Sequence, residues 1–175
     1  MNEKLKLFTK PLTPDEIEWK IQSKTKGASV KTIVVPYIDN RAVMNRLDSV
    51  FGSTEWKSAF QEFGGGVLCT LSIRNDDNGE WISKQDGADK TTIEPTKGGI
   101  SDSMKRCATQ WGLGRELYDY PRVFVEGEIK FIDKDVLAQL RSIDLKKDVI
   151  VLKQVVSKKA YNEQNKKDFE EGVPF

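Results

Sequence analysis

A chain of 175 residues can bury the core of one domain and still carry a tail. Its 28 Lys and Arg residues against 27 Asp and Glu, a formal net charge of +1, exclude a globally basic coat for polyanions. Any polyanion site must be a local patch or be assembled from several subunits. The sequence holds no histidine, which excludes a histidine-based triad or a histidine-ligated metal. No apolar run is long enough to span a bilayer, and Met1-Asn2-Glu3-Lys4 opens no signal peptide. A soluble, cytoplasmic protein with no membrane partner is expected.

Thr13-Pro14-Asp15-Glu16 has the form of a capping box with proline at the first helical position, which predicts a short turn of helix. Ile17 to Lys24 and Val30 to Ile38 read as two strands around a Lys26-Gly27-Ala28-Ser29 turn. The Gly27 to Thr32 stretch ends in Lys-Thr like a phosphate loop. It lacks the second glycine and precedes a strand rather than a helix, so it is no nucleotide site. Asp39 caps a helix whose Val43, Met44, Leu47, Val50 and Phe51 share one apolar face, and Gly52 ends it. Glu55 to Phe63, Val67 to Arg74 and Glu80 to Gln85 form a three-stranded antiparallel meander. Its turns are Gly64-Gly65-Gly66 and Asn75-Asp76-Asp77-Asn78-Gly79.

The segment from Gly98 to Gly114 carries the most information. Ile100, Met104, Cys107, Ala108 and Trp111 fall on one apolar arc at about 100° per residue. Lys105 and Arg106 project from the other side, with Thr109 between them. Gly98 and Gly99 would leave backbone N–H groups at the helix start open to an anion. Adjacent cations beside such a terminus suit a phosphate chain. Asp102 lies three and four residues before the pair, however, which is also the spacing of ordinary intrahelical ion pairs on a solvated face.

Cys69 and Cys107 form no pair motif and read as small core hydrophobes. Arg122 to Ile132 reads as a strand or hairpin, and Asp133 starts a short helix through about Ile143. From Ser157 the chain turns polar and lysine-rich, which reads as a flexible tail. The acids Asp76, Asp77, Asp86, Asp89 and Glu94 would have to supply any Mg²⁺ site. The first two sit in a turn, where aspartate is expected anyway. No spacing motif joins the set, so no metal and no other cofactor is expected.

Three blocks together resemble the Rad-fifty-two superfamily of single-strand annealing proteins, particularly its small phage and bacterial members. The first runs from Val35 through Tyr37, Arg41 and Gly52 to Trp56. The second is the meander ending in Gly79-Glu80-Trp81 and Asp86-Gly87-Ala88. The third runs from Ser101 through Lys105, Arg106 and Trp111-Gly112-Leu113-Gly114 to Asp119. The resemblance implies an α+β fold, a β-β-β-α core with a helix packed on an antiparallel sheet, preceded by a β-hairpin and helix. It also implies a homo-oligomeric ring or filament with a basic outer groove. In that groove Lys105 and Arg106 match the basic pair at the floor, and Lys97 a basic position near the start of the helix. Arg41 and Tyr37 match positions around the lining hairpin, and Lys24 one on the preceding strand. Thr109 departs from the pattern, standing where relatives often carry a third cation. Trp56, Trp81 and Trp111 read as core, and Tyr37 as the better base-stacking candidate.

The final residues Asp168, Phe169, Glu170, Glu171, Gly172, Val173, Pro174 and Phe175 resemble the acidic tip of bacterial single-stranded DNA-binding proteins. Such a tip would recruit proteins that recognise that tip, or fold onto the chain's own groove. The expected organisation is therefore an annealing domain over 1–156 and a tail over 157–175. The expected function is non-enzymatic: binding of single-stranded DNA and ATP-independent annealing in recombination and double-strand break repair. The rivals are a Mg²⁺-dependent nuclease using Asp86, Asp89 and Glu94, and a passive single-strand coat.

Overall fold

Every second residue from Val67 to Ile73 is apolar, and in the computed structural model Val67, Cys69, Leu71 and Ile73 are all buried. The structure describes residues 1–92 and 94–154, and of Asn2 no side chain. The tail expected from Ser157, with its Asp168, Phe169, Glu170, Glu171, Pro174 and Phe175 tip, lies outside the described residues. In chain order the elements are α1 (Asn2–Phe8), β1 (Glu18–Lys24), β2 (Lys31–Tyr37), α2 (Asn40–Phe51), β3 (Trp56–Phe63), β4 (Gly66–Arg74), β5 (Trp81–Asp89), α3 (Pro95–Gln110), a 3-10 helix (Arg115–Asp119), β6 (Arg122–Glu126), α4 (Lys134–Leu140) and β7 (Val149–Leu152). They make a mixed α+β fold with two sheets. The chain divides into two units, Met1–Glu18 with Pro36–Tyr120, and Trp19–Val35 with the chain from Pro121 on.

In the first unit β3, β4 and β5 form the expected antiparallel meander, with Cys69 opposite Phe60 on one side and Asp86 on the other. This register puts Phe60 and Asp86 on the same face as Val67, Cys69, Leu71 and Ile73. Helix α3 covers that face with Gly99, Ser103, Met104, Cys107 and Ala108. A Cβ added at Gly99 would stand 2.7 Å from Val67 Cγ2, so the bare backbone there lets the helix approach the strand. Helix α2 starts and ends where its sequence predicts. The Asp39 carboxylate accepts the Ala42 N–H at 2.7 Å, and Gly52 closes it at φ 95°. Its Phe51 meets Phe8 of α1, a helix the sequence pattern does not announce, with ring centroids 5.4 Å apart.

No helix forms at Thr13–Glu16, contrary to expectation, although the capping contacts do. The Glu16 carboxylate accepts the Thr13 N–H at 2.8 Å and its hydroxyl at 3.1 Å. The buried Ile17 and Trp19 draw the chain straight into β1. Glu16 is used instead by Arg46, whose Nη2 donates to both carboxylate oxygens at 2.7 and 2.6 Å. Burial alone would push the Glu16 carboxyl up, but the Arg46 and Thr13 bonds hold it below the ordinary glutamate range. A depressed carboxylate contributes stability above its unfolded pKa of about 4.3 and loses it as the pH falls through the folded value. Arg46→Ala is therefore expected to cost about 2 kcal/mol at pH 7 in urea unfolding, a deficit that shrinks below about pH 4. A deficit independent of pH would assign Arg46 a packing role only.

In the second unit the sheet order is β1-β2-β6-β7. β2 pairs antiparallel with β6, and β6 pairs parallel with β7 through a crossover that contains α4. The buried Thr32 hydroxyl donates to the Gly127 carbonyl at 2.9 Å and accepts the Ile129 N–H at 3.1 Å. The Arg122–Ile132 stretch supplies one strand rather than a hairpin, and α4 ends at Leu140, a little short of Ile143.

Candidate nucleic-acid interface

Helix α3 begins at Pro95, whose fixed φ and missing N–H suit the first helical position. Gly98 and Gly99 therefore lie inside the helix, and the Gly98 N–H is taken by the Glu94 carbonyl at 2.9 Å. The anion site expected at their N–H groups does not exist. Their purpose is clearance, since a Cβ at Gly98 would come within 1.9 Å of Thr91 Oγ1. Beside this end lies an open cleft of about 480 Å³ lined by Thr91, Glu94, Lys97, Ser101 and Asp102. Its two carboxylates and single lysine give it no preference for an anion.

Past that terminus, α3 turns its outer face to solvent. At 100° per residue, Lys105 and Arg106 flank a stripe centred on Asp102 and Thr109. The Thr109 hydroxyl donates back to the Arg106 carbonyl at 2.7 Å, so it belongs to the helix. Lys105 leans toward the end of β2. Its Nζ stands 5.8 Å from the centroid of the Tyr37 ring and 2.7 Å from Asp102. Burial raises the Tyr37 phenol pKa, and Glu18 and Asp39 add to that. Arg106 leans the other way, toward β5, where its Nε donates to Asp86 Oδ1 at 3.1 Å.

The other sequence candidates are spread more widely. Lys97 lies in the first turns of α3, highly exposed and paired with Glu94 at 2.9 Å. Arg41 starts α2, 85% exposed, with its Nε on Asp39 at 3.1 Å. Lys24 ends β1 in the second unit and pairs with Glu128 there. Each of these cations thus has a carboxylate beside it. An exposed pair of this kind contributes little to stability, and its charge is available to a stronger anion.

Among the tryptophans, Trp111 is core as expected, its Nε1 donating to the Leu71 carbonyl at 3.2 Å. Trp56 is half-buried and bonds Asp48. Trp81 departs from expectation: it is 40% exposed, on the sheet face away from α3, beneath the Lys57 ammonium at 4.2 Å. Cys69 and Cys107 are both buried thiols. The nuclease acids do not assemble. Among the described residues no group of three or more His, Cys, Asp or Glu is placed to hold a metal. Asp76 pairs with Lys4 and the N-terminus. Asp86 accepts from Arg106, Gln110 and the Gly87 N–H. The sequence reading missed this partnership of Asp86 with Arg106, for which no local spacing signal exists.

A helix that backs a three-stranded meander and presents two cations on its outer face defines the class, an α+β protein with a basic pair on one exposed helix face. Residues 1–135 match the family described as Rad52/22 double-strand break repair proteins, and the chain belongs to that family. The resemblance drawn from the three sequence blocks thus holds. The chain is 29% identical over 123 residues to the single-stranded DNA-binding protein DdrA of Deinococcus radiodurans, covering 66% of this chain and 55% of that protein. It is 32% identical over 122 residues to DdrA of Deinococcus deserti, covering 66% and 56%. It therefore spans about half the length of the curated relatives it matches. No solved structure matches it significantly. Among the described residues no helix is long and apolar enough to cross a membrane.

Proposed function

We propose that this chain binds single-stranded DNA along the outer face of α3 and pairs it with a complementary strand, without ATP and without breaking a covalent bond. The observation that carries the reading is the stripe between Lys105 and Arg106, on a chain whose relatives are named single-stranded DNA-binding proteins. A phosphate would take the Lys105 ammonium in exchange for Asp102 and would meet Arg106 at the guanidinium edge that Asp86 leaves open. Lys97 and Arg41 would add to the field, Tyr37 would offer a ring to a base, and Lys24 would be a separate phosphate contact of the second unit. Contacts of this kind grip the backbone without reading sequence, and bases left outward can test a complement. A near-neutral chain gains a continuous basic surface only by repetition, which supports a homo-oligomeric ring or filament as the working form.

The test is to mix labelled complementary oligonucleotides with the protein and Mg²⁺ in the absence of ATP. Faster duplex formation with intact strands is the expected result. Shortened strands would establish the nuclease instead, and binding with slowed annealing the passive coat. We assign residues 157–175 to a docking tail of the 1–156 annealing domain, on the strength of the order Asp168-Phe169-Glu170-Glu171 followed by Pro174-Phe175. Phe175→Ala should then abolish capture of proteins that recognise the single-stranded DNA-binding protein tip while leaving DNA affinity unchanged. Equal capture by both forms in a pull-down sinks the tail assignment.

A further inference from the structure

Two aspartates stand beside the cations of α3, and their surroundings differ. Asp86 is 14% exposed and held on three sides: Oδ1 accepts the Gly87 N–H at 2.8 Å and Arg106 Nε at 3.1 Å, and Oδ2 accepts Gln110 Nε2 at 2.9 Å. Burial alone would raise its pKa, but these donors hold it below the ordinary aspartate range, so it stays a carboxylate. Asp102 is 45% exposed and meets Lys105 from three residues away on the same helix. The contact of Arg106 is made through Nε. Among the described residues neither Nη group is bonded, and the side chain is 55% exposed. A guanidinium held at Nε keeps its outer edge, with both Nη groups, for a second anion.

Resting on the DNA-binding reading above, we propose that Asp86 is a positioning residue that aims the Arg106 fork at a DNA phosphate, whereas Asp102 competes with phosphate for Lys105. An arginine chain has several rotatable bonds, and fixing it in advance removes an entropic cost that binding would otherwise incur. The opposing effect is repulsion between the Asp86 carboxylate and the phosphate across the width of the guanidinium. In a solvated groove that repulsion is weak and screened by salt. Asp102 occupies the Lys105 ammonium itself, a compact charge with no planar fork to aim, so a phosphate must compete with it.

The two acids carry the same charge beside the same helix, so a purely electrostatic role gives their removal the same sign. Binding of labelled oligothymidylate to the full chain separates the roles. Asp86→Ala is expected to weaken binding about fivefold, and Asp102→Ala to tighten it about twofold. In an Arg106→Ala background, Asp86→Ala should change nothing further. Asp86→Glu keeps the charge but displaces the carboxylate by one methylene. It should weaken binding about threefold and serves where the alanine variant fails to fold. Tightening by Asp86→Ala, wild-type affinity in Asp86→Glu, or an undiminished loss in the Arg106→Ala background would each overturn the proposal while leaving the interface in place. An Arg106→Ala protein with wild-type affinity and salt dependence would overturn the interface reading itself, and the role of Asp86 with it.

Discussion

Trp111→Ala is expected to cost about 3–5 kcal/mol of folding stability, the largest loss from any single truncation considered for this chain. The indole closes the apolar side of α3 and is 5% exposed. Its Nε1 donates to the carbonyl of Leu71, in the middle strand of the meander. Truncation therefore opens a cavity and also removes the indole's hydrogen bond to a buried strand. The Lys84 ammonium, 4.8 Å from the ring centroid, loses its cation–π contact as well. In a chain of this length such a loss lowers the thermal midpoint by roughly 10 °C. Urea unfolding followed by far-UV circular dichroism measures it. An unchanged midpoint with selective loss of DNA binding would reverse the assignment and make the indole a base-stacking surface.

The second large effect is on binding. Lys105→Ala with Arg106→Ala should leave stability nearly unchanged, because neither side chain is in the core and their ion pairs are at least partly solvated. Each lost phosphate contact lowers the slope of log affinity against log salt by about 0.7 for a single strand. Two contacts give a decrease of about 1.4, equivalent to about 25-fold in affinity at 0.1 M salt when extrapolated from 1 M. Fluorescence anisotropy at several salt concentrations reads both quantities. A slope equal to that of the wild type, or a fall in the thermal midpoint that accounts for the weaker binding, removes the pair from the interface. The same series on Lys97, Arg41 and Lys24 ranks their contributions. Arg41, the most exposed of the cations in ion pairs, should give a uniform loss across DNA sequences.

Much of the fold can be read along the chain because its signals are local. Asp39 and Gly52 bracket α2 through bonds that span a few residues. The alternation in β4 commits Val67, Cys69, Leu71 and Ile73 to one face whatever they pack against. Three elements escape this kind of reading. α1 has only seven residues, and Phe8 is buried through Phe51, a residue far along the chain. β7 is four residues long and exists because β6 offers it a parallel edge. Pro95 marks the start of α3, yet the glycine pair three residues later has the same local look of a helix start, and only packing against Thr91 and Val67 separates the two.

The candidate interface divides in the same way. That Lys105 and Arg106 stand off the apolar arc, with Asp102 within reach of Lys105, follows from helical periodicity and needs no tertiary knowledge. The membership of the chain in its family was likewise carried by residue order and spacing. What Arg106 bonds was decided only in three dimensions. Its partner Asp86 lies 20 residues away, placed opposite Cys69 by the β4–β5 register and beneath α3 by packing. Composition alone leaves that acid open as a metal ligand, because it records a carboxylate but not its neighbours. Trp81 was misplaced for the same reason, since a strand alternates its faces and only the covering helix determines which face is core. Periodicity and capping act over one or two turns, so the sequence by itself determined the elements and the solvent side of the helix. The pairing of side chains across strands depends on register and on which face is covered, and tertiary structure alone decided those.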